Sequence, residues 1–254
     1  MRRFLRHIVV AAVLAAVVAA AYAERVRLAD AWVAWHASRL PPAMSFSSLR
    51  PLPAPAANAP LPATVNLAVP FTPQAPTANW DAYHEEACEE ASLYMVDQFY
   101  RGMPAGLLDP AAVEKAIHAM TDFEDKTFGF NQDTTAAQTA QIARDFLGYG
   151  HVEIVEQPTA DRIKAILAAG HPVIVPVDGR LIGNPFYASP GPIYHMLVLR
   201  GYTSSGFISN DPGTRRGDGY VYGFDQVMKA MHDWNAAAGQ ADGPPRALVV
   251  YPNP

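Results

Sequence analysis

The stretch Trp80-Asp-Ala-Tyr-His-Glu-Glu-Ala-Cys-Glu-Glu-Ala-Ser92 holds Cys88, the only cysteine of the 254-residue chain. The residues before it read as loop: Pro70, Pro73 and Pro76, then Asn79-Trp80-Asp81. The residues after it place Ala91, Met95 and Phe99 at helical spacing, up to Gly102. Cys88 therefore falls at or close to the start of a helix, where free N–H groups and the helix dipole favour thiolate over thiol. Glu85, Glu86, Glu89 and Glu90 oppose this, since like charges raise a thiol's pKa. A reactive Cys88 would need a cation nearby, an imidazolium above all. The alternative is a structural cysteine packed as a small hydrophobe, with the acids serving as N-terminal helix charge.

The chain opens as an exported protein does. Arg2, Arg3 and Arg6 precede the apolar run Ile8–Ala20, and Ala21-Tyr22-Ala23 has the small-x-small pattern of a cleavage point. Residues 1–23 are thus expected to be a signal peptide, with an uncleaved anchor as the alternative. Lipoprotein anchoring is not expected, because no cysteine follows the run. Cleavage after Ala23 removes three arginines and no acid, taking the net charge from −5 to −8. Such a chain has no basic stripe for nucleic acid. One cysteine rules out an internal disulfide, so the thiol pairs with another molecule, stays inert, or reacts.

Residues 24–64 read as an N-terminal segment with room for a short helix, followed by a Pro/Ala-rich linker. A single domain is expected over residues 65–254. Within it, Asp109-Pro110 reads as an N-cap and first helical residue, with a helix to about Met120. Asp133-Thr134-Thr135 precedes another helix, to Leu147, and Thr159–Ala169 a third. Strands are expected at His151–Glu156, Pro172–Val177, His195–Tyr202, Gly206–Asn210 and Ala247–Tyr251, with a helix over Phe224–Trp234. Helices early and strands late indicate an α+β fold.

His195 differs from the chain's other histidines by standing at the head of an apolar strand, in Ile193-Tyr-His-Met-Leu-Val-Leu-Arg-Gly-Tyr202. Ser209-Asn210-Asp211-Pro212-Gly213 closes the next strand after a turn near Ser204-Ser205. Antiparallel pairing of the two strands brings Asp211 to His195. A carboxylate there can fix the imidazole's tautomer and orientation; the plainer reading is turn chemistry. Gln74 can donate its amide to an oxyanion, beside the backbone N–H of the cysteine.

The order Gln, Cys opening a helix, His opening a strand, Asp closing the next resembles that of papain-like cysteine peptidases, and more closely the peptidase C39-like family. The residues carrying the match are Val69-Pro-Phe-Thr-Pro-Gln-Ala-Pro76, Asn79-Trp80, Glu86-Ala-Cys-Glu-Glu-Ala-Ser92, Tyr194-His195-Met-Leu-Val-Leu-Arg-Gly-Tyr202 and Asp211-Pro212. The resemblance covers roughly residues 65–252. It implies a papain-like fold, a helical part packed on an antiparallel sheet. It implies Cys88 as nucleophile, His195 as base, Asp211 as the group orienting His195, and Gln74 as oxyanion donor. Trp80, Glu89, Glu90 and Tyr194 are the candidates for substrate contact. Two departures stand out: Cys88 is followed by Glu89-Glu90 where the family more often has Gly, and Trp80-Asp81 lengthens the stretch from Gln74 to Cys88.

The expected function is therefore an exported thiol hydrolase, periplasmic or extracellular, acting on a peptide or protein and needing no cofactor. The same triad also serves transpeptidases and amidases. The alternative from another class is a non-catalytic module holding a peptide or cell-wall fragment on the same fold. A metal site through His84, Cys88 and a nearby Glu is not expected, since the Cys–His pair supplies only two good ligands where zinc takes three or four. A membrane partner is expected only through an uncleaved anchor.

Overall fold

A computed structural model describes residues 2–49 and 60–253. They divide into two compact units between Arg39 and Leu40. The first is α1 (Arg2–Ala37), a continuous helix of Ala, Val, Leu and Arg with neither glycine nor proline to break it. Its stretch Val9–Ala37 is long and apolar enough to cross a membrane. The helix passes through the expected cleavage point without interruption, so residues 24–37 extend it and form no separate short helix.

The second unit begins earlier than composition suggested. Met44 pairs in parallel with Leu67, and Asn66 Nδ2 donates to Pro41 O at 2.7 Å. Phe46 packs its ring on Phe99 and Tyr100 at 5.6 and 5.1 Å. Residues 41–49, which composition placed in the linker, thus belong to the folded body: Phe46–Ser48 form a single 3-10 turn, and Phe46 and Leu49 pack on the core. Residues 50–59 of the Pro/Ala-rich stretch, with Pro51, Pro53 and Pro55, lie outside the described residues.

The helical part comprises α2 (Cys88–Tyr100), α3 (Pro110–Thr127), α4 (Ala136–Gln141) and α5 (Ala160–Ala168). Their starts follow local chemistry. Asp109 accepts from Ala112 N ahead of Pro110, Thr135 forms a capping box with Gln138, and Thr159 accepts from Arg162 N. α3 runs a further seven residues past Met120, burying Thr121 and Glu124.

The strands are β1 (Val65–Asn66), β2 (His151–Glu156), β3 (Val173–Asp178), β4 (Tyr194–Tyr202), β5 (Phe207–Asn210), β6 (Asp218–Tyr222) and β7 (Arg246–Tyr251). They form one sheet in the order β2-β7-β3-β4-β5-β6, with β1 also on β4, and every pair is antiparallel. β4 is buried along its whole length, which explains its apolar centre Met196–Leu199; α2 and α5 pack against it. The expected α+β fold, with helices first and an antiparallel sheet after, is the fold observed. β1, β6 and the short α6 (Gly179–Ile182) have no counterpart in the sequence reading. The helix α7 (Phe224–Ala230) stops four residues short of Trp234, at the extended Met231.

Candidate active site

Cys88 is the first residue of α2, and its neighbours explain the placement. Asp81 Oδ1 accepts from the backbone N–H of Tyr83 and His84, turning the chain just before the helix. Gln74 Nε2 then donates to the carbonyls of His84 (2.8 Å) and Glu85 (3.0 Å), while Gln74 N donates to Pro212 O at 2.9 Å. The loop before Cys88 is thereby tied to the turn after Asp211. α2 in turn lies on β4, where the amide of Met196 donates to Cys88 Sγ at 3.2 Å. The sulfur therefore rests against the residue that follows His195.

The thiol proton is donated to Glu89 Oε2 at 2.9 Å, and among the hydrogen bonds of the described residues it makes none to His195. Glu89 Oε1 accepts from Thr134 N at 2.8 Å, which fixes the carboxyl group in place. Burial pushes the Cys88 thiol well above its usual pKa, the Glu89 carboxylate adds to this, and only the Met196 N–H lowers it. The helix N-terminus is thus outweighed: in this geometry Cys88 is held as a neutral thiol.

His195 and Asp211 meet as the strand pairing predicts. β4 and β5 are antiparallel with Val198 opposite Asn210, and His195 Nε2 lies 2.8 Å from Asp211 Oδ1, both side chains buried. Nδ1 is left as the imidazole nitrogen that can take a proton. Asp211 Oδ2 accepts from Tyr187 (2.7 Å), from Asn184 Nδ2 (2.9 Å) and from the hydroxyl of Tyr222, and Oδ1 also accepts from Gly213 N (3.0 Å). Burial raises the Asp211 pKa, but the His195 charge and these donors outweigh it, bringing it down to about 2. The Tyr187 ring stands edge-on to the imidazole at 5.4 Å. Gly213 closes the other side: a Cβ there would come within 3.0 Å of His195 Cε1 and 2.8 Å of Tyr187 Cε1, so a larger residue would have to push the Tyr187 ring aside.

Cys88, His195 and Gln74 line one cleft of about 760 Å³. Trp80, Glu86, Asp133, Tyr187, Tyr194 and Arg215 also contribute to its lining. Of the residues expected to touch substrate, Trp80 is half-exposed there, and Tyr194 lines the cleft with its hydroxyl tied to Thr134 O at 2.8 Å. Glu89 and Glu90 do not line it, which corrects the expectation. The first turn of α2 directs both inward, Glu89 to Cys88 and Thr134, and Glu90 to Glu124 of α3. The acids that reach the cleft are Glu85, Glu86 and Asp133; burial raises Glu86 and brings Asp133 up to about 7. His84 and Cys88 do not converge either, since His84 binds Asp81 and Glu114.

Sequence reasoning missed Asn184, Tyr187 and Tyr222. For Tyr222 a signal existed: Tyr220-Val221-Tyr222 alternates as a strand after Gly219. For Asn184 and Tyr187, in the loop between α6 and β4, there was none.

The profile of the Peptidase_C39 like family matches residues 66–242, more than two thirds of the chain. The chain belongs to this family. Its C39-like domain thus takes in α2, with Cys88, and β4 to β6, with His195 and the strand end at Asp211. Among solved structures, the domain is similar to a C39-like peptidase from Bacillus anthracis, at 16% identity and a TM-score of 0.47, over 75% of this chain and 98% of that one. It is also similar to xylellain, a cysteine protease from Xylella fastidiosa, at 17% identity and a TM-score of 0.42, over 77% of this chain and 88% of that one. No curated protein matches the chain.

Proposed function

We propose that this C39-like protein is an exported cysteine peptidase. The observation that carries the reading is the His195 Nε2–Asp211 Oδ1 contact of 2.8 Å beside a sulfur held by the next residue's amide. His195 Nδ1 takes the Cys88 proton once substrate displaces the thiol from Glu89. The thiolate attacks the scissile carbonyl carbon, and the resulting oxyanion is met by the Cys88 N–H and by Gln74. Collapse expels the amine, which His195 protonates, and leaves a thioester on Cys88. Water activated by His195 then releases the acid and frees the thiol. Asp211 holds the ring in the productive tautomer throughout. Gln74 now gives its amide hydrogens to the carbonyls of His84 and Glu85, so its part requires one of these bonds to be exchanged for the oxyanion.

The apolar helix α1 agrees with export, either as a signal peptide removed after Ala23 or as a retained anchor. N-terminal sequencing of the exported protein separates the two.

The second reading, a non-catalytic module binding a peptide in the same cleft, is favoured by one observation: the thiol is bonded to Glu89. A peptide-library digest with mass-spectrometric readout decides between them. The peptidase reading expects cleavage by the wild type, none by Cys88→Ser, and labelling of Cys88 by a thiol-reactive peptide electrophile. Binding that survives Cys88→Ala, with no cleavage of any peptide, would establish the binding module instead.

A further inference from the structure

We infer that His84, Glu114 and His118 form a binding site for one divalent transition-metal ion, zinc by the character of the donors. Glu114 and His118 are four apart on α3 and so share a helix face. His84 comes from the turn before α2. The three ligand atoms all lie within 4.8 Å of one another. His84 Nε2 is 2.8 Å and His118 Nε2 3.9 Å from Glu114 Oε2. Ligand atoms around a tetrahedral zinc, with bonds of about 2.0–2.2 Å, sit roughly 3.3 Å apart, between these two separations. Small side-chain rotations are enough to admit the ion.

The surroundings are arranged as a ligand set requires. Asp81 Oδ1 is 2.7 Å from His84 Nδ1, so a proton on that nitrogen leaves Nε2 with its lone pair toward the ion. Asp81 is itself fixed by Asn79 Nδ2 at 2.6 Å and by two backbone N–H groups. Thr77 donates to Glu114 Oε1 at 2.8 Å, leaving Oε2 for the ion. The Tyr83 ring packs edge-on to His118 at 5.4 Å. His84 is buried and His118 exposed, so the site opens to solvent on one side, where water completes the coordination. Two imidazoles and one carboxylate favour zinc, copper or nickel over calcium or magnesium.

The site lies outside the cleft lining but acts on it through the backbone. The His84 carbonyl is one of the two held by Gln74, and Trp80, Glu85 and Glu86 line the cleft from the same loop. An ion joining His84 to α3 would pin this loop. Asp81 and Trp80 belong to the stretch that distinguishes this chain from the more usual family spacing.

The test uses the tag-free full chain, stripped with a chelator and titrated with zinc chloride by calorimetry, with cobalt absorption as a second readout. The expected result is one zinc per chain, a zinc-dependent rise in melting temperature, and d–d bands from cobalt. His118→Ala and Glu114→Gln should each weaken binding roughly tenfold or more, and Cys88→Ser should leave it unchanged. His118 is exposed, so its loss should spare the fold, and circular dichroism checks this. No stoichiometric zinc on the wild type would overturn the inference; so would affinity unchanged in folded His118→Ala, or binding lost in Cys88→Ser. None of these outcomes depends on peptidase activity.

Discussion

Glu89 Oε2 accepts the Cys88 thiol proton at 2.9 Å while its other oxygen is anchored to Thr134 N at 2.8 Å. The residue next to the sulfur thus raises the thiol's pKa, through the bond it accepts and, when ionised, through its charge, while burial pushes the Glu89 pKa well up in turn. In Glu89→Gln, the side-chain oxygen still accepts from Thr134 while its amide N–H faces the sulfur. A donor replaces an acceptor, which stabilises the thiolate. Alkylation of Cys88 by iodoacetamide at pH 7 should therefore run faster in Glu89→Gln, with its pH midpoint moved down. An unchanged midpoint would show that Glu89 does not control the thiol.

Tyr222 donates to Asp211 and accepts from Asn184 Nδ2 at 2.7 Å. Tyr222→Phe should cost about 1.5–3 kcal/mol in urea unfolding, the range for a hydrogen bond to a buried charge. Asp211 titrates at about 2 in the folded state, below its usual range, so its contribution to stability is present above about pH 4 and is lost as pH falls toward 2. Removing a donor raises that pKa, and acid unfolding should move to higher pH. An acid midpoint equal to wild type would remove Tyr222 from the network that holds Asp211 ionised.

Gln74→Ala removes the donor to two carbonyls and, in the proposed mechanism, one donor to the oxyanion. kcat should fall roughly 10²–10³-fold, the usual cost of an oxyanion-hole donor, with KM little changed. A rise in KM with kcat intact would mean that Gln74 only shapes the loop.

Glu90 and Glu124 meet in the core, and among the described residues Glu90 Oε2 and both Glu124 oxygens have no other partner. Burial raises both pKa values, Glu124 to about 7 against an ordinary 4.5. The folded state then holds protons that the unfolded chain has released. The pair's own contribution to stability is greatest below about pH 4.5 and declines as pH rises through 7. Glu124→Gln keeps the shape, removes one charge and can donate to Glu90. Its melting temperature should match wild type near pH 4.5 and exceed it at pH 7.5. A difference that does not vary with pH would show that the pair does not share a proton.

The sequence alone made most of the helices and strands legible, because caps, turns and hydrophobic period act over a few positions; β1, α6 and β6 escaped it. Asp109, Thr135 and Thr159 cap the helices they precede. It also determined that His195 and Asp211 meet, since a short turn between antiparallel strands fixes register locally. What faces a helix's inner side came only with the folded arrangement. Glu89 and Glu90 read as surface acids at a helix start, yet they are buried, because Thr134 and Glu124 arrive from elsewhere in the chain. Tyr222, Asn184 and Tyr187 surround Asp211 for the same reason, as does α3 in bringing Glu114 and His118 to His84. Such contacts join elements tens of residues apart, and no local period records them.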